Sequence, residues 1–250
     1  MDNRDTTASE SARAPVPADG DRAAVTNSMW THVLPFGAWL LMLALTSVPS
    51  APAYAARTVV GLALFLWCAP WRWYPRPRWR NLPLALLVGA LVFVIWVGPE
   101  AAWTQRFPGF QRAYNLLGIL PPWKVAEPLT ASPYTPDVCG WWLTATRMFG
   151  ATVVVALIEE FFWRGFLPRW LRGDNFLRFD LGVYRAGPFF ITAVFFGLEH
   201  DRWFVGILAG LLYGWLVVRT RDIWAAVIAH GLTNYLLGWY VLASGAYGLW

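Results

Sequence analysis

Charge is scarce in this chain. Only 14% of its 250 residues are Asp, Glu, Lys or Arg, whereas 57% are hydrophobic and 18 are Trp. A soluble domain of this length needs a more polar surface, so an ordinary water-soluble globule is excluded. Cysteine is scarce too: Cys68 and Cys139 are the two present, too few for a disulfide framework. One falls near the inner end of an apolar run and the other near an outer end, so two free thiols are expected. No nucleotide-binding glycine loop, paired-cysteine zinc pattern, HExxH motif, internal repeat or low-complexity tract is present. No nucleic-acid partner is expected either. The one segment that mixes cations with aromatics, "WRWYPRPRWR" at Trp71–Arg80, lies just past an apolar run, where Trp and Arg act as interfacial anchors.

What the chain does have is apolar runs. A hydrocarbon layer ~30 Å thick is crossed by ~20 helical residues, and seven segments come near that length: Trp30–Val48, Thr58–Trp71, Leu82–Gly98, Trp141–Trp163, Pro188–His200, Trp203–Val218 and Ile223–Leu242. The fold class is therefore all-α, a polytopic transmembrane helical bundle. With a cytoplasmic N-terminus, the inner side holds Arg4, Arg13, Arg22, Arg72, Arg76, Arg78, Arg80, Arg164, Arg169, Arg172, Arg178, Arg185, Arg219 and Arg221. The outer side then keeps Arg57, Arg106, Arg112, Lys124, Arg147 and Arg202. That asymmetry obeys the positive-inside rule and sets the topology as N-terminus in, C-terminus out.

Residues 1–28 are polar and aperiodic, so they read as a disordered cytoplasmic tail. Residues 29–250 form the membrane-embedded domain: 29–135 are N-terminal spans and an outer loop, and 136–242 are the candidate catalytic core. Ala53-Tyr54-Ala55 has the small-x-small form of a signal-peptidase site, but the long acid-containing tail is a poor signal n-region, so a first span and a Pro-rich turn are expected there. Residues 99–140 read as an outer loop with one interfacial helix. Gly206, Gly210 and Gly214 recur every four residues, which lets a neighbouring helix approach closely.

Against this background a few polar residues stand out. A charged side chain near the bilayer centre costs at least ~2.5–3.5 kcal/mol, so each needs a partner or a wet cavity. Glu159, Glu160 and Arg164 share the fourth span, His200 ends the fifth, and His230 and Asn234 lie in the seventh. Glu160 and Arg164 are spaced i,i+4, which ties one acid and leaves Glu159, about 100° round the helix, available. His230 and Asn234 share a face by the same spacing. The fifth and sixth segments are short for a full crossing. They predict a hairpin whose apex, His200-Asp201-Arg202, stops inside the bundle and is hydrated, bringing His200 toward the others. Phe161, Phe162, Phe195 and Phe196 are expected to line packing interfaces rather than a substrate groove.

At these residues the sequence resembles the CAAX-protease and bacteriocin-processing (CPBP) family of intramembrane proteases. Glu159 to Arg164 matches its EExxxR motif, Phe196 to His200 its FxxxH motif and His230 to Asn234 its HxxxN motif, in order on successive membrane segments. The resemblance covers about residues 140–242. "FFWRGFL", "FFGLEHDRWFVGILAG" and "IAHGLTNYLLGWYVL" look closer still to a bacterial branch associated with exosortase surface-sorting systems. The family resemblance implies an endopeptidase acting on a membrane-anchored or membrane-delivered protein. In that mechanism Glu159 and His200 activate water, His230 and Asn234 stabilise the oxyanion, Glu160 supports or shares the base role, and Arg164 positions the acids. It implies no cofactor, and a multi-pass location in a bacterial inner membrane with lipid and a peptide substrate as partners. Glu199 and Asp201 flank His200, a more acidic setting than the family's usual one. They keep open a zinc site at Glu159, His200 and His230, although metal-independent hydrolysis is favoured. The rival readings are a proton-coupled transporter, which the lack of an evident inverted repeat disfavours, and a catalytically silent scaffold or immunity protein.

Overall fold

The computed structural model describes residues 16–18, 21–46, 49–120 and 132–250. Among them there is no strand. Eight helices organise the described residues: α1 (Arg22–Leu45), α2 (Ala51–Cys68), α3 (Leu82–Val97), α4 (Pro108–Leu117), α5 (Pro136–Trp170), α6 (Ala186–Leu198), α7 (Trp203–Thr220) and α8 (Ile223–Ser244). All but α4 and α6 are, with their flanking turns, long and apolar enough to cross a membrane. At 13 residues, α6 spans only about 20 Å, as its short apolar run predicts. The protein is a multi-pass membrane protein by this measure. Its outer wall is correspondingly apolar, with Leu41, Val59, Trp67, Leu87, Val94, Phe190, Phe195 and Trp239 all exposed.

Helix ends follow from local chemistry. Asp21 accepts a hydrogen bond from the Ala24 N–H and starts α1, so residues 22–28, read from sequence as unfolded tail, are helical. A tertiary contact supports this: His32, one turn beyond, is anchored by residues far along the chain. Residues 1–15 and the expected span end at Val48 lie outside the described residues. Ser50 caps α2, and Ala53 to Ala55 sit inside its first turns. Ala69, in the left-handed region ahead of Pro70, ends it. Asp222 caps α8 through the Trp224 N–H and also accepts from the Arg78 N–H and Asn81 Nδ2, at 3.1, 3.0 and 3.0 Å. One buried carboxylate thus ties the starts of α3 and α8 together at the basic end of the bundle.

Packing is set by small residues, as expected where lipid supplies no hydrophobic drive between helices. A Cβ on Gly210 would stand 2.9 Å from the Ala193 carbonyl oxygen, and one on Gly206 3.0 Å from Gly197, so α7 lies backbone to backbone against α6. The glycine spacing predicts this. Gly89 does the same for α3 and α8: its Cβ would be 2.5 Å from the Ala229 carbonyl oxygen. Contacts from other segments hold the α6–α7 apex. Arg202 forks onto Glu100, the Asp201 carbonyl accepts from the Leu120 N–H at 2.5 Å, and the Phe204 N–H donates to the Gly118 carbonyl. The segment around α4, in the stretch expected to be an outer loop with one interfacial helix, therefore covers the hairpin. Cys68 and Cys139 are both free thiols.

The basic segment Trp71–Arg80 is more than an interfacial anchor. Trp71 packs on Phe65, and Tyr74, 6% exposed, bonds His32 and Arg169. Burial pushes its phenol up to about 12 although Arg169 pulls the other way, so Tyr74 is neutral and can donate.

Candidate active site

The two carboxylates sit where α5 changes its winding. Gly150–Val155 and Phe161–Phe166 are wide, π-type turns, and Ala156–Glu160 is the α-helical stretch between them. Each wide turn contains a glycine against which a neighbour presses. A Cβ on Gly150 would meet Thr58 Oγ1 at 2.5 Å, and one on Gly165 would meet the Tyr74 hydroxyl. Wide turns inside α-helices recur at functional sites because they re-aim side chains that regular winding would send elsewhere.

Glu160 is fully buried and is the hub. Its Oε1 accepts from Arg164 Nη1 at 3.0 Å, as the i,i+4 spacing predicts, and from His230 Nδ1 at 2.8 Å. The second bond was not legible in sequence, where the grouping set Glu159 with His200. Because Nδ1 of His230 faces a carboxylate, that nitrogen carries the proton and Nε2 is left as the working atom of the ring. Tyr213 stacks on the imidazole at 5.1 Å between centroids and 20° between planes, and Tyr213 is itself fixed by a 2.7 Å bond to Thr233. Arg164 is held from its other side by the faces of Phe196 and Tyr213, at 4.1 and 5.3 Å.

His200 ends α6. Its Nδ1 lies 2.8 Å from the Phe196 carbonyl oxygen and donates there. The Phe196 ring touches both imidazoles, with centroids 4.9 Å from His200 and 6.0 Å from His230, which bounds the separation of the two rings below about 11 Å. Asn234 donates from Nδ2 to the Ala151 carbonyl oxygen, in the first wide turn, at 2.9 Å. His200, His230 and Asn234 all line one cavity of about 220 Å³, together with Trp96, Phe196 and Tyr213. The sequence reading named the three but missed Trp96, which packs edge-on to His200 at 5.3 Å. The aromatic residue ending α3 carries no local signal for it.

Neither Glu159 nor Glu160 forms the wall of that cavity. Glu159 is 4% exposed, and its Oε2, like that of Glu160, has no hydrogen-bond partner. Glu160 therefore lies behind the His230 imidazole, and each acid keeps one unsatisfied buried oxygen. Such groups are rare, and they cluster where chemistry or solvent uses them. Glu199, the acidic neighbour of His200, accepts from Trp163 Nε1 at 3.1 Å. Of the four phenylalanines expected to pack, Phe161 is buried and Phe162 half-buried in aromatic clusters, Phe196 is buried in the core and also borders the cavity, and Phe195 is exposed on the outer wall. Among the described residues, no three or more His, Cys, Asp or Glu side chains come together as a metal site, so Glu159, His200 and His230 are not gathered as one ligand set.

A family model described as type II CAAX prenyl endopeptidase, Rce1-like, matches residues 141–236. The match runs from the start of α5 proper, after the kink at Gly140, to two residues beyond Asn234, and so contains all three motifs. The resemblance to the CPBP proteases rests on this match, which does not reach the finer exosortase-associated branch. No curated protein and no solved structure matches the chain.

Proposed function

With residues 141–236 matching the model of the type II CAAX prenyl endopeptidases, we propose that this chain is an intramembrane endopeptidase that hydrolyses a peptide bond in a membrane-anchored or membrane-delivered protein. The observation that carries this reading is convergence: His200, His230 and Asn234, from two helices, border one cavity, and Glu160 bonds directly to one of its imidazoles. Peptide hydrolysis needs a base within reach of water and donors aimed at the oxyanion of the tetrahedral intermediate. In the proposed mechanism Glu159 and His200 orient and deprotonate water, with Glu160 supporting them. His230 and Asn234 stabilise the oxyanion, and Arg164 holds Glu160 in place. For His230 to donate from Nε2 while Nδ1 donates to Glu160, the ring acts as imidazolium, which the adjoining carboxylate accommodates.

The Glu160–His230 bond favours a second assignment within the same activity. A carboxylate on Nδ1 of an imidazole is the arrangement of a base held by its orienting acid. His230 then takes the proton from water through Nε2, while Glu159, off the cavity wall, acts at a distance. The two assignments separate on Glu159→Gln: the first expects a loss of about a hundredfold or more in cleavage, the second a loss of less than about tenfold.

The proposed setting is a bacterial inner membrane with the basic end of the bundle in the cytoplasm and the C-terminus outside, supported by the gathering of Arg72 to Arg80, Arg172 to Arg185 and Arg221 at one end. The test is proteomic. Membranes of cells expressing the wild-type chain are compared with those expressing His200→Ala for new protein termini. Termini present only with the wild type support an endopeptidase. Identical termini, with both proteins folded and equally abundant, sink it.

A further inference from the structure

The cavity that holds His200, His230 and Asn234 is also lined by Tyr54, Arg147 and Trp250. The Arg147 guanidinium carbon lies 4.0 Å from the Tyr134 ring centroid, 4.4 Å from Tyr54 and 5.2 Å from Trp250. A second arginine backs it. Arg57, only 6% exposed, stands 5.3 Å from the Tyr54 ring and 5.3 Å from Trp39, so both guanidinium groups share Tyr54. Neither bonds a carboxylate among the described residues, and the Nε of each is buried without a hydrogen-bond partner.

Elsewhere in the bundle each buried arginine is answered: Arg164 by Glu160, and Arg169 by the Tyr74 hydroxyl and the Gly165 carbonyl. Aromatic faces attract a cation but do not neutralise it, and two like charges on one ring repel. Among the described residues the pair is thus held in position without a carboxylate partner, beside the cavity. A planar guanidinium presents paired donors that match the two oxygens of a carboxylate.

We propose that Arg147, backed by Arg57, forms a carboxylate-binding subsite where Tyr54 and Trp250 line this cavity, selecting polypeptides that carry a carboxylate, from an acidic side chain or a chain end, near the bond to be cut. The proposal rests on the endopeptidase reading for the word substrate. The carboxylate recognition itself is independent of cleavage. The aromatic rings act as a rigid collar that fixes the guanidinium planes, and discrimination comes from the penalty of leaving the arginines unmatched when a neutral group enters.

The experiment uses the full chain purified in detergent and follows tryptophan fluorescence, since Trp39, Trp96 and Trp250 line the cavity. Three probes are titrated: acetyl-Ala-Leu-Leu with a free terminal carboxylate, the same peptide amidated, and an amidated form with its central leucine replaced by glutamate. At least one acid-bearing peptide should bind about tenfold tighter than the neutral amide, and the one that does identifies the source of the carboxylate. Arg147→Gln should bring acid and amide to within about threefold of each other, and Arg147→Lys should keep part of the preference. Arg57→Gln should act in the same direction. If that buried substitution prevents folding, the half-buried Arg147 carries the test alone. Equal affinity for all three probes overturns the subsite, as does a preference that survives Arg147→Gln. An Arg147-dependent response to phosphatidylglycerol micelles with no discrimination among the peptides also overturns it, by assigning the arginines to a lipid phosphate. Because binding is the readout, a wild type that binds acids but cuts nothing contradicts only the endopeptidase reading. Cleavage without acid preference contradicts only the subsite.

Discussion

Two buried histidines of the same bundle have opposite circumstances. His32, on α1, belongs to a chain of hydrogen bonds that uses both of its ring nitrogens. Arg169 donates to the Tyr74 hydroxyl, Tyr74 donates to His32 Nε2 at 3.0 Å, and His32 Nδ1 donates to the Ser28 carbonyl oxygen at 2.8 Å. Phe166 and Phe176 wall it in. His230 has one nitrogen tied to Glu160, and its ring borders a cavity. Both clusters hold an imidazole, an arginine and partners far apart in sequence, so polarity inside the membrane does not by itself mark a site. What separates them is spare hydrogen-bonding capacity beside space a substrate can enter.

The predictions follow that contrast. Glu160→Ala removes the partner of both Arg164 and His230, leaving a buried cation unpaired. Cleavage of a membrane-tethered reporter should fall by about a thousandfold, and a protein that is folded by size-exclusion and retains the activity would place Glu160 with the structural group. Asn234→Ala should cost about a hundredfold in kcat with a smaller change in KM, because an oxyanion donor acts in the transition state. An equal loss in both parameters would mean that Asn234 only holds the wide turn at Ala151. His32→Ala should do the reverse. It should leave kcat within about threefold, yet lower unfolding stability in detergent by about 2–3 kcal/mol by stranding the Tyr74 hydroxyl and opening a hole among aromatics. A large loss of rate per folded molecule would erase the distinction between the clusters. Glu199→Gln should have the smallest effect, within about threefold in rate, since an amide oxygen still accepts from Trp163. A loss of about a hundredfold would bring Glu199 into the machinery as a base acting through His200.

The apolar spans were legible in sequence because hydropathy over some twenty residues is a local property, and α3, α7 and α8 begin within a residue of their expected positions. Local spacing also disclosed the Glu160–Arg164 pair and the glycine face of α7. The start of α1 was hidden because Asp21 and residues 22–28 lack an apolar period, and helix there is sustained by the contacts of His32 with Tyr74, Phe166 and Phe176. The Glu160–His230 bond joins residues 70 apart and depends on how the wide turns of α5 aim the acids, which no periodicity reports. The Arg57 and Arg147 collar was invisible for the same reason. Each arginine alone looked like an ordinary charge near an outer boundary, and only the fold puts both on the Tyr54 ring.

The central claim is that the residues around the cavity, and not membrane polarity in general, cut a peptide bond. The most direct measurement compares His230→Gln with His32→Gln, each purified, shown to be folded and reconstituted with a membrane-tethered reporter identified from the proteomic screen. The account predicts cleavage reduced at least about a hundredfold by His230→Gln and retained by His32→Gln. Equal activity of the two folded variants would contradict it.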